Sequence, residues 1–307
     1  MSTSQSPQQK WPSLRWDEWK DTADTLHMWT QIVGKVRLAL NPLRNHWWNV
    51  PFYVSARGLT TGGIPYNGSV FDVEFDFVAH ELVTRMGDGQ VIARPLRAQS
   101  VAAFYAEFLE TLKVLGIEVS IYEKPVEISN PIPFPQDVQH ASYDPEYAHR
   151  FWQILVRSQA IFSKFETAFL GKASPVHFFW GSFDLAVTRF SGRPAPPRKD
   201  ADSITREAYS HEVISVGFWP GNGGYGAAAF YAYAAPEPAG LSQHAIQPAK
   251  AFYDNNLKEF ILKYDDVCSS STPDEDVMQF IESVYDAAST LAGWDRHSLE
   301  RAPAAAV

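Results

Sequence analysis

The stretch PVHFFWGSFDLAVTRFSGRPAPP, residues 175–197, reads as a long β-strand of Phe, Leu, Val and Ala that nevertheless carries His177, Asp184, Arg189 and Arg193. An ionised side chain left alone in an apolar interior is costly, so such groups are either paired struts or the walls of a site. As walls they would divide the chemistry. His177, or His211 in the strand-like SHEVISVGFW, would serve as general acid or base. Asp184 would orient a histidine or hold a metal, and Arg57 and Arg189 would clamp an anion. Trp48, Trp180 and Trp219 supply flat walls. Alternation along a single strand puts His177 and Arg189 on one face, and Trp180, Ser182, Asp184 and Thr188 on the other.

A second constellation surrounds the glycine-rich loop RGLTTGGIPYNG, where Tyr53, Thr60 and Thr61 join Arg57 as candidate substrate-binding groups. Glycines let backbone N–H groups approach a ligand, but the Gly-Lys-Ser/Thr ending of a phosphate loop is absent, and a plain turn fits equally well. In FDVEFDFVAH, the residues Asp72, Glu74, Asp76 and His80 share one face, which suits a solvated sheet surface with cross-strand ion pairs. A divalent metal is a further possibility: His140, His177 and His211, with Asp184 or Glu212, would give three N/O ligands and an open position if the fold gathered them. Neither His-Glu-x-x-His nor Gly-x-Ser-x-Gly occurs.

The elements that must position these groups come in a repeating order. Leu26, Trp29, Val33, Val36 and Leu40 recur at helical spacing, and His27, Gln31 and Lys35 form a stripe beside them. A second helix from Pro145 carries His149, Gln153 and Arg157 at the same spacing, with Ser142 or Asp144 placed to cap it. Each helix precedes a strand opening on His and two aromatics, His46-Trp47-Trp48 and His177-Phe178-Phe179. Each half then reaches an Ala-Phe-Tyr segment read as helical, at Phe104-Tyr105 and Phe252-Tyr253, and MGDGQ is a hairpin turn. The expected class is α+β: two pseudo-repeated α-β-β-β-α halves of antiparallel sheet with packed helices, 11–130 and 131–296. A last helix covers roughly 274–294, and residues 1–10 and 297–307 are expected to be disordered tails.

Composition narrows the partners. The chain has 307 residues, a formal net charge of −9 and no Lys/Arg-rich run, which argues against nucleic acid or an anionic membrane surface. No apolar run approaches a membrane span, and the start lacks a signal pattern. The single Cys268 excludes an internal disulfide and points to a cytoplasmic setting. Ten Trp, thirteen Tyr and twenty Phe exceed what a minimal core needs, so some rings are available to stack on a small-molecule ligand.

The segments LHMWTQIVGK, NHWWNVPFYVSARGLTTGGIPY, HASYDPEYAHRFW, GKASPVHFFWGSFDLAVTRFSGRPAP, SHEVISVGFWPG and FYAYAAPEP together resemble a bacterial family known as domain of unknown function 5996. The likeness runs from about residue 11 to 294. It implies a single-family bacterial protein and transfers no catalytic assignment. From the residues themselves, the expectation is an enzyme of hydrolase or lyase type, with or without a divalent metal. It would act on a small polar or anionic molecule in an aromatic, His/Arg-lined cleft between the halves. A non-catalytic binder of a sugar or aromatic compound, or an interaction module, are the competing readings.

Overall fold

The computed structural model describes residues 10–301; residues 1–9 and 302–307, which hold most of the two expected tails, lie outside the described residues. Two antiparallel sheets lie edge to edge. The first is built from β1 (Tyr53–Val54), β2 (Gly58–Thr60), β3 (Ile64–Tyr66), β4 (Ser69–Asp76), β5 (Glu81–Met86) and β6 (Val91–Pro95), in the order β1-β2-β4-β5-β6 with β3 also on β4. The second is built from β7 (His177–Phe179), β8 (Asp184–Pro194), β9 (His211–Trp219), β10 (Ala229–Ala235), β11 (Phe252–Asp254) and β12 (Glu259–Lys263), in the order β11-β12-β10-β9-β8-β7. Phe52 and Phe178 exchange both backbone hydrogen bonds at 2.9 Å, which ties the β1 edge to the β7 edge. The class is therefore α+β, as the sequence pattern predicts.

Helix α1 (Trp16–Leu40) runs through the centre of the molecule. Its apolar stripe is buried, but so are Thr25, His27, Thr30, Gln31, Lys35 and Arg37 on its other sides, so it is enclosed rather than amphipathic at a surface. Those polar groups find backbone partners in distant segments. His27 donates through Nε2 to the Gly181 carbonyl at 2.8 Å, Gln31 clasps both the N–H and the carbonyl of Val126 at 2.8 Å, and Arg37 reaches the Thr61 carbonyl. The Trp180 ring lies on Gly34, where a Cβ would fall 2.4 Å from it, so only glycine lets the second half seat on this helix.

Helix α2 (Val101–Val114) packs on the first sheet through the Phe104 ring, stacked 6.3 Å from Phe75, and on α1, where the same ring stacks 4.6 Å from Trp29. Helix α3 (Pro145–Thr167) starts where expected: Asp144 accepts from the N–H groups of Glu146 and Tyr147 at 2.9 and 3.2 Å, with Pro at the first position. Short helices α4 (Ser203–Ala208) and α5 (Tyr264–Cys268) precede α6 (Pro273–Leu291), whose Val277, Phe280, Ile281 and Val284 are buried in the core that α3 also lines. Among the described residues no helix is long and apolar enough to cross a membrane.

Five expectations change. Residues 175–197 do not form one strand: a turn at 180–183, with Phe183 at φ 61°, folds them into the hairpin β7-β8. Residues 46–57 are broken in the same way, because His46 and Trp47 both sit in left-handed backbone before β1 and β2 form. Phe252-Tyr253 is strand β11, and Leu257 lies in the turn to β12, so the second Ala-Phe-Tyr segment is not helical. Each half thus carries six strands rather than three. Finally, 297–301 is ordered: α7 (Arg296–Leu299) is capped by Asp295, and Glu300 pairs with Phe169 while accepting from Tyr285 at 2.9 Å.

Candidate functional site

The hairpin decides which side chains meet. Pairing of His177 with Ala186 across β7-β8 sets His177 on the same sheet face as Asp184 and Thr188, whereas Arg189 points to the opposite face. The strand-long alternation read from sequence inverts here, since the turn at 180–183 resets the phase. Onto the same face, β9 places Ser215, Gly217 and Trp219, β10 places Tyr231 and Tyr233, and β12 places Glu259 and Ile261. His177, Asp184, Ser215 and Tyr231 form a buried floor, while Trp48, Tyr53, Phe179, Tyr209, Trp219, Tyr225 and Tyr233 stand half-buried around it. We take this buried floor with its half-buried aromatic walls as the candidate recess.

Its polar groups are bonded to one another, and the cations nearest them, Lys172 over the Trp48 ring at 5.2 Å and Arg198 over the Tyr209 ring at 4.0 Å, stack on the aromatic walls. The Tyr231 phenol donates to Asp184, which also accepts from Ser182; Tyr209 and Tyr233 share a hydrogen bond at 2.8 Å, and Thr188 and Ser215 another at 2.9 Å. Gly217 makes the first of these possible, because the Tyr231 ring lies where a Cβ would stand, 2.4 Å away. Trp219 stacks on Tyr231 at 4.8 Å. Burial raises the Asp184 carboxyl, an effect that Ser182 and Tyr231 only partly offset. Desolvation, with the neighbouring Asp184 and Asp254, pushes Glu259 up to about 7, into the range of an acid–base catalyst at neutral pH.

His177 sits beside this network, enclosed by Trp48, Tyr53 and Phe179 with ring centroids at 5.8, 5.6 and 5.5 Å. It is 1% exposed, and neither ring nitrogen has a hydrogen-bond partner among the described residues. Desolvation, and then the charge of Arg37, lower its pKa to about 3, so it is the neutral imidazole. A buried polar atom without a partner is rare in native proteins and calls for an explanation. At the far end of the same face, Lys172 donates to His46 Nε2 at 2.6 Å, with His211 at 5.7 Å from the His46 ring.

The other predicted residues are elsewhere. Arg189 is a strut: its guanidinium lies 3.4 Å from the Phe165 ring centroid and 4.3 Å from that of Tyr285, and it donates to the Phe165 carbonyl. Arg57 is exposed and paired with Asp76. Trp180 donates to the Val50 carbonyl at 2.8 Å and packs against α1. Thr60 and Thr61 bond Gly62 of their own loop, and Thr61 also accepts from the Val73 N–H of β4. The three histidines proposed for a metal do not converge. His140 bonds Asp137 at 2.7 Å, His211 bonds Ser210 at 3.0 Å, and His177 stands in its aromatic box. No group of three or more His, Cys, Asp or Glu able to hold a metal ion occurs among the described residues.

Sequence reasoning omitted Tyr231, Tyr233, Ser215 and Glu259 as site residues. The alternation Tyr231-x-Tyr233 in FYAYAAP was a readable signal, since two phenols on one strand face need hydrogen-bond partners when buried. Glu259 had none, because its strand follows a segment that reads as helical.

A family model described as a family of unknown function (DUF5996) matches residues 11–301, and the chain belongs to that family. No curated protein and no solved structure matches it.

Proposed function

We propose that this member of the family binds a small, neutral, hydroxyl-bearing molecule in the recess on the second sheet and performs acid–base chemistry on it. The observation that carries the reading is His177, buried with both nitrogens free of partners among the described residues and beside the Asp184–Tyr231 pair. A hydroxyl presented to the neutral imidazole on β7 would meet a hydrogen-bond acceptor, while Glu259, four strand spacings away on β12, would hold or release a proton near pH 7 at the other end of the recess. The two arginines expected to clamp an anion face other parts of the molecule, and Asp184 and Glu259 give the floor an acidic character. A neutral polar ligand therefore suits it better than an anion.

The stack of Trp219 on Tyr231 favours a second reading, a sugar-binding protein without turnover. One experiment separates the two. Purified full-length protein is screened with monosaccharides and polyols by Trp fluorescence and thermal shift, and each binder is followed for conversion. Trp219→Ala and Tyr231→Phe should weaken binding at least tenfold, and Arg57→Gln should not. Conversion that follows a group ionising near pH 7 and disappears in Glu259→Gln marks the enzyme, whereas binding without conversion marks the binder. Equal binding by the wild type, Trp219→Ala and Tyr231→Phe sinks both readings.

The halves 11–130 and 131–296 we read as products of an internal duplication. In support, His27 and His149 each lead a His-x3-Gln pair, with contacts of 3.2 and 3.1 Å, and each bonds a carbonyl of the other half, Gly181 and Phe77. Both sheets also run outward from the Phe52–Phe178 bridge.

A further inference from the structure

A cleft of about 360 Å³ lies between α1 and the segment that links the two halves, remote in sequence from the residues of the recess. That volume falls in the range of small-molecule sites. Its polar lining includes Asp24, His27, Asp137 and His140, and its apolar side Met28, Ile128 and Ile132.

His140 is held in one orientation by a buried carboxylate. Asp137 is 1% exposed; its Oδ1 accepts the N–H groups of Gln139 and His140 at 3.1 Å, and its Oδ2 accepts His140 Nδ1–H at 2.7 Å. The carbonyls of Asp137 and His140 accept the first N–H groups of α2, from Ala102 at 2.9 Å and Val101 at 3.0 Å, so the turn is anchored on both sides. With Nδ1 carrying the proton, Nε2 is a lone pair, and it makes no hydrogen bond among the described residues. A carboxylate behind an imidazole fixes the tautomer and strengthens the free nitrogen as an acceptor, as in hydrolytic triads and metal sites. His27, by contrast, is spent on the Gly181 carbonyl and stacked on Phe183 at 4.9 Å.

Two carboxylates line the cleft, and neither Lys nor Arg does. Lys20, one turn back on α1, pairs with Asp24 through Oδ2 at 2.5 Å, and Oδ1 makes no hydrogen bond among the described residues. We propose that the cleft is a second ligand site, which takes a small amine with a hydrocarbon tail: its N–H donates to His140 Nε2, Asp24 faces its positive charge, and Met28, Ile128 and Ile132 cover the tail. The site does not depend on the recess or on its chemistry.

The test is titration of the full-length protein with butylamine, with butanol and butyrate as probes of the same tail length. Calorimetry should show one butylamine bound per chain, no binding of butyrate, and affinity reduced at least tenfold in both His140→Gln and Asp24→Asn. The ¹⁵N resonance of His140 Nε2 in the wild type should move on addition of butylamine, a readout that needs no variant to fold. Trp219→Ala, which alters the recess, should leave butylamine affinity unchanged. Butyrate binding as tightly as butylamine, an unmoved Nε2 resonance, or equal affinity in a folded His140→Gln variant each overturns the proposal.

Discussion

The two sheets carry polar side chains on alternating positions, and the two polar faces behave in opposite ways. On the first sheet three carboxylates have a cation: Arg85 bridges Asp72 and Glu74, and Arg57 holds Asp76. On the second, Asp184 is held by hydroxyls alone, and Glu259 makes no ion pair among the described residues. The pKa values follow. Burial pushes Asp76 up, but Arg57 and the N–H groups of Ala79 and Val78 outweigh it and bring the carboxyl below its ordinary 3.8. Burial raises Asp184 and Glu259 with nothing cationic to oppose it. Glu74 and Asp76 are buried too, but a guanidinium offsets their desolvation, whereas carboxyls kept uncompensated under aromatic walls cost stability and are found where chemistry is done.

The largest test of this contrast is Tyr231→Phe. It strips a hydroxyl from a buried carboxyl, so unfolding free energy in urea should fall by about 1–3 kcal/mol. A loss as small as that of a surface pair would erase the distinction between the faces.

Next comes pH. Glu259, raised from 4.5 to about 7, contributes stability that is complete below pH 4.5 and is lost as pH rises toward 7. Asp76, lowered from 3.8, contributes stability that is present above pH 3.8 and is lost as pH falls through its own lower value. His177, lowered from 6.5 to about 3, opposes Glu259 in the same window, because its contribution is lost as pH falls below 6.5. The effects are separated by difference. Subtracting the Glu259→Gln curve from that of the wild type should leave a difference that declines between pH 4.5 and 7, and the Asp76→Asn difference should be constant above about pH 4 and shrink only as pH falls below it. A Glu259→Gln difference that is flat across pH 4.5 to 7 would contradict the raised value.

The smallest effect is expected from Asp72→Asn, a loss below about 1 kcal/mol that shrinks further in high salt, since Asp72 and the Arg85 it pairs with are 31% and 37% exposed. A loss of several kcal/mol, insensitive to salt, would mean that the polar face of the first sheet matters to the fold as much as that of the second.

How much of this was readable differs by residue. Asp144 as a cap, α1, α3 and the strand at 211–219 follow from local pattern, and the His, Asp and Trp types that meet in the recess were visible as chemistry-bearing groups. Arg189 was not separable from His177, because period-2 alternation assigns faces only while a strand stays unbroken. Four residues at 180–183 turn the chain and reverse the assignment. Arg57 and Arg189 look alike as sequence, yet one meets water and Asp76 and the other a cage of aromatic rings.

By itself, the sequence determined the helices, most strand segments, the α+β class and the stock of side chains able to move protons, since these depend on periodicity and residue type within one segment. Which of them share a recess, which carboxyl keeps a cation and which histidine keeps its nitrogens free was decided only by tertiary structure. Pairing register, burial and counter-charge are properties of segments far apart in the chain, and they exist only once those segments are in contact.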